Sequence, residues 1–145
     1  MVTRVQAAVL SFGSLAAVIG MFAPWLTVGP TSWSSLDLRS LVVDLGYKEG
    51  SIFDYAVGAW VLVPALLAVA VFAGWLQRLV TSGVFGVLGA LYAGVVAFAV
   101  TRAPEIVPFD TEWGITVTFV GAVVVLVASV WGFVLAATDR RQRHS

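Results

Sequence analysis

The sequence predicts an all-α integral membrane protein, a four-helix up-and-down bundle with a short amphipathic helix in its first extracytoplasmic loop. Three observations predict it. Stretches at 5–26, 55–76, 79–100 and 113–137 contain no Asp, Glu, Lys, Arg or His, and a span needs about 20 apolar residues to cross roughly 30 Å of hydrocarbon. Composition agrees: 60% of the 145 residues are hydrophobic and 11% charged, with mean hydropathy +0.99, whereas about a quarter of a soluble domain is charged. The charges that remain are sorted by sign between the two ends of the spans. Residues 1–145 therefore read as one transmembrane domain.

The first stretch follows Arg4, the arrangement of a signal peptide. Its apolar run is too long for one, however, and its end, Gly20-Met21-Phe22-Ala23-Pro24-Trp25, lacks an Ala-x-Ala cleavage pattern, so it is expected to be retained. The outer loop at 27–54 carries Leu38, Leu41, Val42 and Leu45 at i, i+3, i+4 and i+7, one apolar stripe on a helix. Ser34 followed three residues later by Asp37 resembles a capping box, and Gly46 sits where a helix commonly ends. A helix over about 35–45 is expected to lie on the outer membrane surface or to cap the bundle.

In the second stretch Pro64 cannot donate to the carbonyl of Trp60, and a kink or local loosening is expected there. Only Gln77 and Arg78 separate stretches two and three, which forces a tight helical hairpin and an alternating order of spans. The loop at 101–112 contains Pro104 and Pro108 and is expected to run extended until Asp110 or Thr111 caps the fourth span. Residues 138–145 form a basic tail that suits anionic headgroups.

Arg4, Arg78, Arg140, Arg141 and Arg143 share one side with the single acid Asp139. The other side carries Arg39, Lys48 and Arg102 against Asp37, Asp44, Glu49, Asp54, Glu105, Asp110 and Glu112. The positive-inside rule makes the arginine-rich side cytoplasmic, with both termini there, in a plasma (inner) membrane. Trp25, Trp60, Trp75, Trp113 and Trp131 fall near span ends, where indoles favour the headgroup layer.

Small residues recur at four-residue spacing: Gly86, Ala90 and Gly94 in the third stretch, and Ala128, Gly132 and Ala136 in the fourth. Such faces let helix backbones approach closely. They suit packing within the bundle, a second copy, or another membrane protein.

Several chemistries find no support. The 8 basic and 8 acidic residues balance, which gives no electrostatic basis for binding nucleic acid. With no cysteine there is no thiolate for catalysis, redox work or a zinc site. The only histidine, His144, lies among arginines near the end of the sequence. No catalytic, cofactor-binding or metal-ligating residue is assigned, and no cofactor is expected. Ionisable groups, which coupled transporters place within the bilayer, are missing from the spans. The polar side chains there (Gln6, Ser11, Ser14, Thr81, Ser82, Tyr92, Thr116, Thr118 and Ser129) read as structural. The outer acids Asp54, Glu105, Asp110 and Glu112 offer oxygen ligands but not the spacing of a calcium loop.

The segments Ala23-Pro24-Trp25-Leu26-Thr27-Val28-Gly29, Ser34-Ser35-Leu36-Asp37-Leu38 and Trp60-Val61-Leu62-Val63-Pro64 resemble those of uncharacterised small four-span membrane proteins of actinobacteria. In these a Pro-Trp ends the first span and a short outer helix precedes a proline-bearing second span. The resemblance implies the architecture and brings no activity with it. The first outer loop is also similar in layout to that of claudins, but it has Trp33 and none of their paired cysteines, so no claudin function is carried over. The expected role is a non-catalytic accessory or scaffold subunit of a membrane complex, in contact with lipid and with a membrane-protein partner or another copy. A small-solute or lipid transporter component and an envelope sensor are the alternatives.

Overall fold

A computed structural model describes residues 2–37, 40, 58–102 and 110–142. Among these residues four long helices carry the fold: α1 (Val2–Phe22), α2 (Leu62–Trp75), α3 (Leu79–Arg102) and α4 (Trp113–Gln142). Three short strands lie between them in sequence: β1 (Pro24–Val28), β2 (Thr31–Ser34) and β3 (Asp110–Thr111). α1 packs along α4 and α2, and α3 packs along the same two helices. Among the described residues three segments are long and apolar enough to cross a membrane, Val2–Phe22, Leu79–Thr101 and Trp113–Asp139, which makes the chain a membrane protein. The remaining helix, α2, is equally apolar but has 14 residues, about 21 Å at 1.5 Å per residue.

Each helix turns small or aliphatic residues inward and large apolar ones outward. On α1, Gln6, Leu10, Gly13, Ala17 and Gly20 are buried, while Phe12 is 72% and Phe22 63% exposed. In water such exposed rings would mark an aggregating surface, whereas in hydrocarbon they are the surface that dissolves the protein.

The first apolar stretch is not helical to residue 26. α1 stops at Phe22, because the proline ring of Pro24 disfavours helical geometry at Ala23 and supplies no N–H. The Ala23 N–H closes the last turn on the Ile19 carbonyl at 3.1 Å. The chain then extends as β1, reverses at Gly29 (φ +60°) and Pro30, and returns antiparallel as β2, with Leu26 opposite Trp33 and Val28 opposite Thr31. β3 pairs on the other edge of β1, Leu26 opposite Thr111 and Thr27 opposite Asp110, so the sheet order is β2-β1-β3. Asp110 and Thr111 are thus sheet residues rather than helix caps, and Glu112 leads into α4 with its N–H on the Trp25 carbonyl at 2.8 Å.

Residues 35–37 and 40 are helical, and the Ser34–Asp37 box is formed. The Asp37 carboxylate accepts from the Ser34 N–H (2.9 Å) and hydroxyl (2.7 Å), and the Asp37 N–H reaches Ser34 Oγ at 3.3 Å. Leu38, Leu41, Val42 and Leu45, the expected apolar stripe of the outer helix, lie outside the described residues. So do Asp54, Pro104, Glu105 and Pro108.

Pro64 stands in the first turn of α2 rather than in mid-helix. Helical residues 58–59 precede a turn at Trp60 and Val61. The Trp60 carbonyl, which Pro64 cannot serve, accepts instead from the Val63 N–H at 3.2 Å. The hairpin between α2 and α3 closes as a Schellman motif. The N–H of Gln77 bonds the Gly74 carbonyl (3.0 Å) and that of Arg78 the Ala73 carbonyl (2.9 Å), with Gln77 itself left-handed at φ +58°.

Candidate functional site on the helix faces

α1 and α4 meet backbone to backbone along a seam. A Cβ on Gly20 would stand 2.5 Å from the Thr118 backbone nitrogen, one on Gly13 3.0 Å from that of Val125, and one on Gly121 2.8 Å from Ala17 Cα. Gly13 and Gly20 on α1, and Gly114 and Gly121 on α4, each repeat after seven residues, two helical turns, which keeps them on one face. Polar side chains reinforce the interior. Gln6 Nε2 donates across to the Ala128 carbonyl (3.0 Å) and Ser82 Oγ to the Ala70 carbonyl (2.9 Å). Ser11 and Thr118 instead donate to carbonyls one turn back on their own helices. Gln6 Oε1, Ser14 Oγ and Ser129 Oγ are buried without a partner.

The end of the bundle that bears the sheet is closed by aromatic rings. Trp25, 1% exposed, meets Trp60 edge-on at 5.6 Å between centroids, and Trp60 in turn meets Tyr92 at 5.8 Å. Trp25 Nε1 donates to the Gly20 carbonyl at 2.8 Å. Ser35 joins three elements: its hydroxyl donates to the Met21 carbonyl (2.6 Å) and accepts from Trp60 Nε1 (3.2 Å). Trp25 and Trp60 are therefore core residues rather than headgroup anchors, whereas Trp75 and Trp113 are more than half exposed. Thr27 Oγ1 donates to the Glu112 carboxylate at 2.7 Å, which gives that acid a structural partner. Among the described residues no three His, Cys, Asp or Glu side chains gather as metal ligands.

The small-residue faces fall into two groups. Gly86, Ala90, Ala128 and Gly132 are buried inside the bundle, with Gly86 against Ser129 and Gly132 against Gln6. Gly94 is half-buried, and a Cβ there would meet only Ala122 Cβ, at an ordinary 3.8 Å. Gly94, Ala90 and Ala122 floor a groove of about 320 Å³ between α3 and α4, walled by Leu91, Val95, Phe98, Phe119, Val123 and Leu126. No polar residue lines it. Ala136 is half-buried near the far end of α4. The four-residue spacing thus marks both core positions and the groove, while the sequence signal of the α1–α4 seam is the seven-residue repeat of Gly13 and Gly20 and of Gly114 and Gly121. No protein-family model, curated protein or solved structure matches this chain.

Proposed function

We propose that the protein is a non-catalytic accessory or scaffold subunit that receives a transmembrane helix of another membrane protein in the α3–α4 groove. The observation that carries this reading is the groove itself, an apolar channel with a floor of Ala90, Gly94 and Ala122. In lipid, helices associate through close van der Waals packing where small residues let backbones approach. Here Gly94 is half-buried at the groove floor, flanked by the buried Ala90 and Ala122, while Gly86, Ala128 and Gly132 are used inside the bundle. In this reading α2 also crosses, giving four spans. The arginine-rich end that includes Arg4 and Arg78 faces the cytoplasm of a plasma membrane, in accord with the positive-inside rule. Gentle extraction from native membranes into lipid nanodiscs, followed by the mass of the assembly, tests the role. A stoichiometric membrane-protein partner supports it, and recovery of monomer alone after crosslinking and extraction contradicts it.

A further inference from the structure

At the arginine-rich end, away from the sheet and the groove, a cleft of about 200 Å³ opens between the start of α1 and the end of α2. It is lined by Thr3, Arg4, Ala7, Gly74, Trp75 and Gln77. The geometry points to a binding site for the phosphodiester headgroup of an anionic phospholipid. The lining supplies a guanidinium, a hydroxyl and an amide as donors and contains no acid. No carboxylate among the described residues pairs with Arg4. The floor is apolar, formed by Ala7 and Gly74, as suits the first carbons below a headgroup. One wall is the indole of Trp75, held by Nε1 donating to Ser11 Oγ at 3.1 Å, with that hydroxyl donating to the Ala7 carbonyl at 2.8 Å. Indoles and arginines at the ends of spans sit at headgroup depth.

The backbone adds a second observation. Gln77 is the one non-glycine residue with positive φ among the described residues, at the position of a Schellman motif where glycine is usual. A side chain there is strained, and residues held in such conformations cluster at ligand sites. Gln77 lines the cleft together with Arg4, from a different element.

The inference rests on the membrane reading and not on the partner helix; the groove lies elsewhere, so the two fail separately. The test titrates the full-length protein in detergent with phosphatidylglycerol or phosphatidylcholine and counts retained lipid by native mass spectrometry. Wild type is expected to retain phosphatidylglycerol preferentially. Arg4→Gln and Gln77→Gly are each expected to weaken that retention roughly fivefold, the scale of one basic contact at an anionic surface or one hydrogen bond. Arg78→Gln, which removes the same charge from an exposed residue outside the cleft, where water and salt screen it, is expected to change retention less than about twofold. Gln77→Gly also relieves the turn, so loss of binding by this variant separates recognition from folding. Equal retention of the two lipids, equal losses in Arg4→Gln and Arg78→Gln, or displacement of the lipid by millimolar inorganic phosphate would each overturn the assignment.

Discussion

The hydroxyl oxygen of Ser129 on α4 occupies the place where a Cβ would stand on Gly86 of α3. The two helices approach at this level because one residue has no side chain and the other a short one. Ser129 Oγ is buried there without a hydrogen-bond partner. An added methyl at residue 86 must displace that hydroxyl, whereas Ser129 Cβ, at 3.3 Å from the built position, needs to give only slightly. Gly86→Ala is therefore expected to destabilise by about 1 kcal/mol, and Ser129→Ala to remove most of that cost. A double-mutant cycle on unfolding in mixed micelles measures the coupling; additive effects would show that the contact is not the cause.

The α1–α4 seam offers no such relief. At Gly121 the obstacle is the backbone of Ala17 and Gly13, which cannot rotate away. Gly121→Ala is expected to cost at least about 1–3 kcal/mol, the range for overpacking, and a neighbouring Ala17→Gly should recover little of it. Thermal unfolding of the two variants beside wild type checks the ordering. Gly94→Ala, where the space is open, is expected to stay within about 0.5 kcal/mol.

How much of this was legible in the sequence depends on the range of the contacts. The long apolar helices, the Gln77-Arg78 hairpin and the Ser34–Asp37 box are set by neighbours a few residues apart and could be read directly. The sheet could not. Pro24–Val28 continues the apolar run of α1 without a break in hydropathy, and its partner at Asp110–Thr111 lies more than eighty residues onward. The same distance effect disguised Trp25 and Trp60, whose positions near span ends look like headgroup anchors until their rings are seen in contact. At the groove, the sequence named Ala90 and Gly94 but could not separate the outward residue Gly94 from the inward residue Gly86.

Ser35 is the hub at the sheet-bearing end. Ser35→Ala leaves the buried Trp60 Nε1–H without its acceptor, and an unpaired buried donor costs about 1–3 kcal/mol. Trp60→Phe, which removes that donor, is expected to make the added loss from Ser35→Ala smaller than in wild type. The same unfolding cycle reads this. Equal losses from Ser35→Ala in both backgrounds would assign the effect to the Met21 carbonyl instead.

Asp37 gives the segment after β2 a pH dependence of known sign. The Ser34 hydroxyl, and after it the Ser34 N–H, hold the carboxyl below its ordinary value of 3.8. With the folded pKa depressed, the box contributes stability above that ordinary value, and the contribution fades as pH falls through the lowered folded value. Hydrogen exchange at the Asp37 amide is expected to be protected at neutral pH and to quicken below the ordinary carboxylate range, beyond the intrinsic pH trend. In Asp37→Asn that additional pH dependence should vanish.

The most direct measurement of the proposed role places a photo-crosslinking amino acid at Gly94, in the groove, and in a parallel strain at Phe12, on the outward face of α1. Both are irradiated in native membranes and crosslinked products are identified by mass spectrometry. The account predicts one membrane protein captured in high yield from residue 94 and not from residue 12, with capture lost when Ala122→Phe fills the groove. Lipid adducts alone at residue 94, or the same mixture of products from both positions, would contradict it.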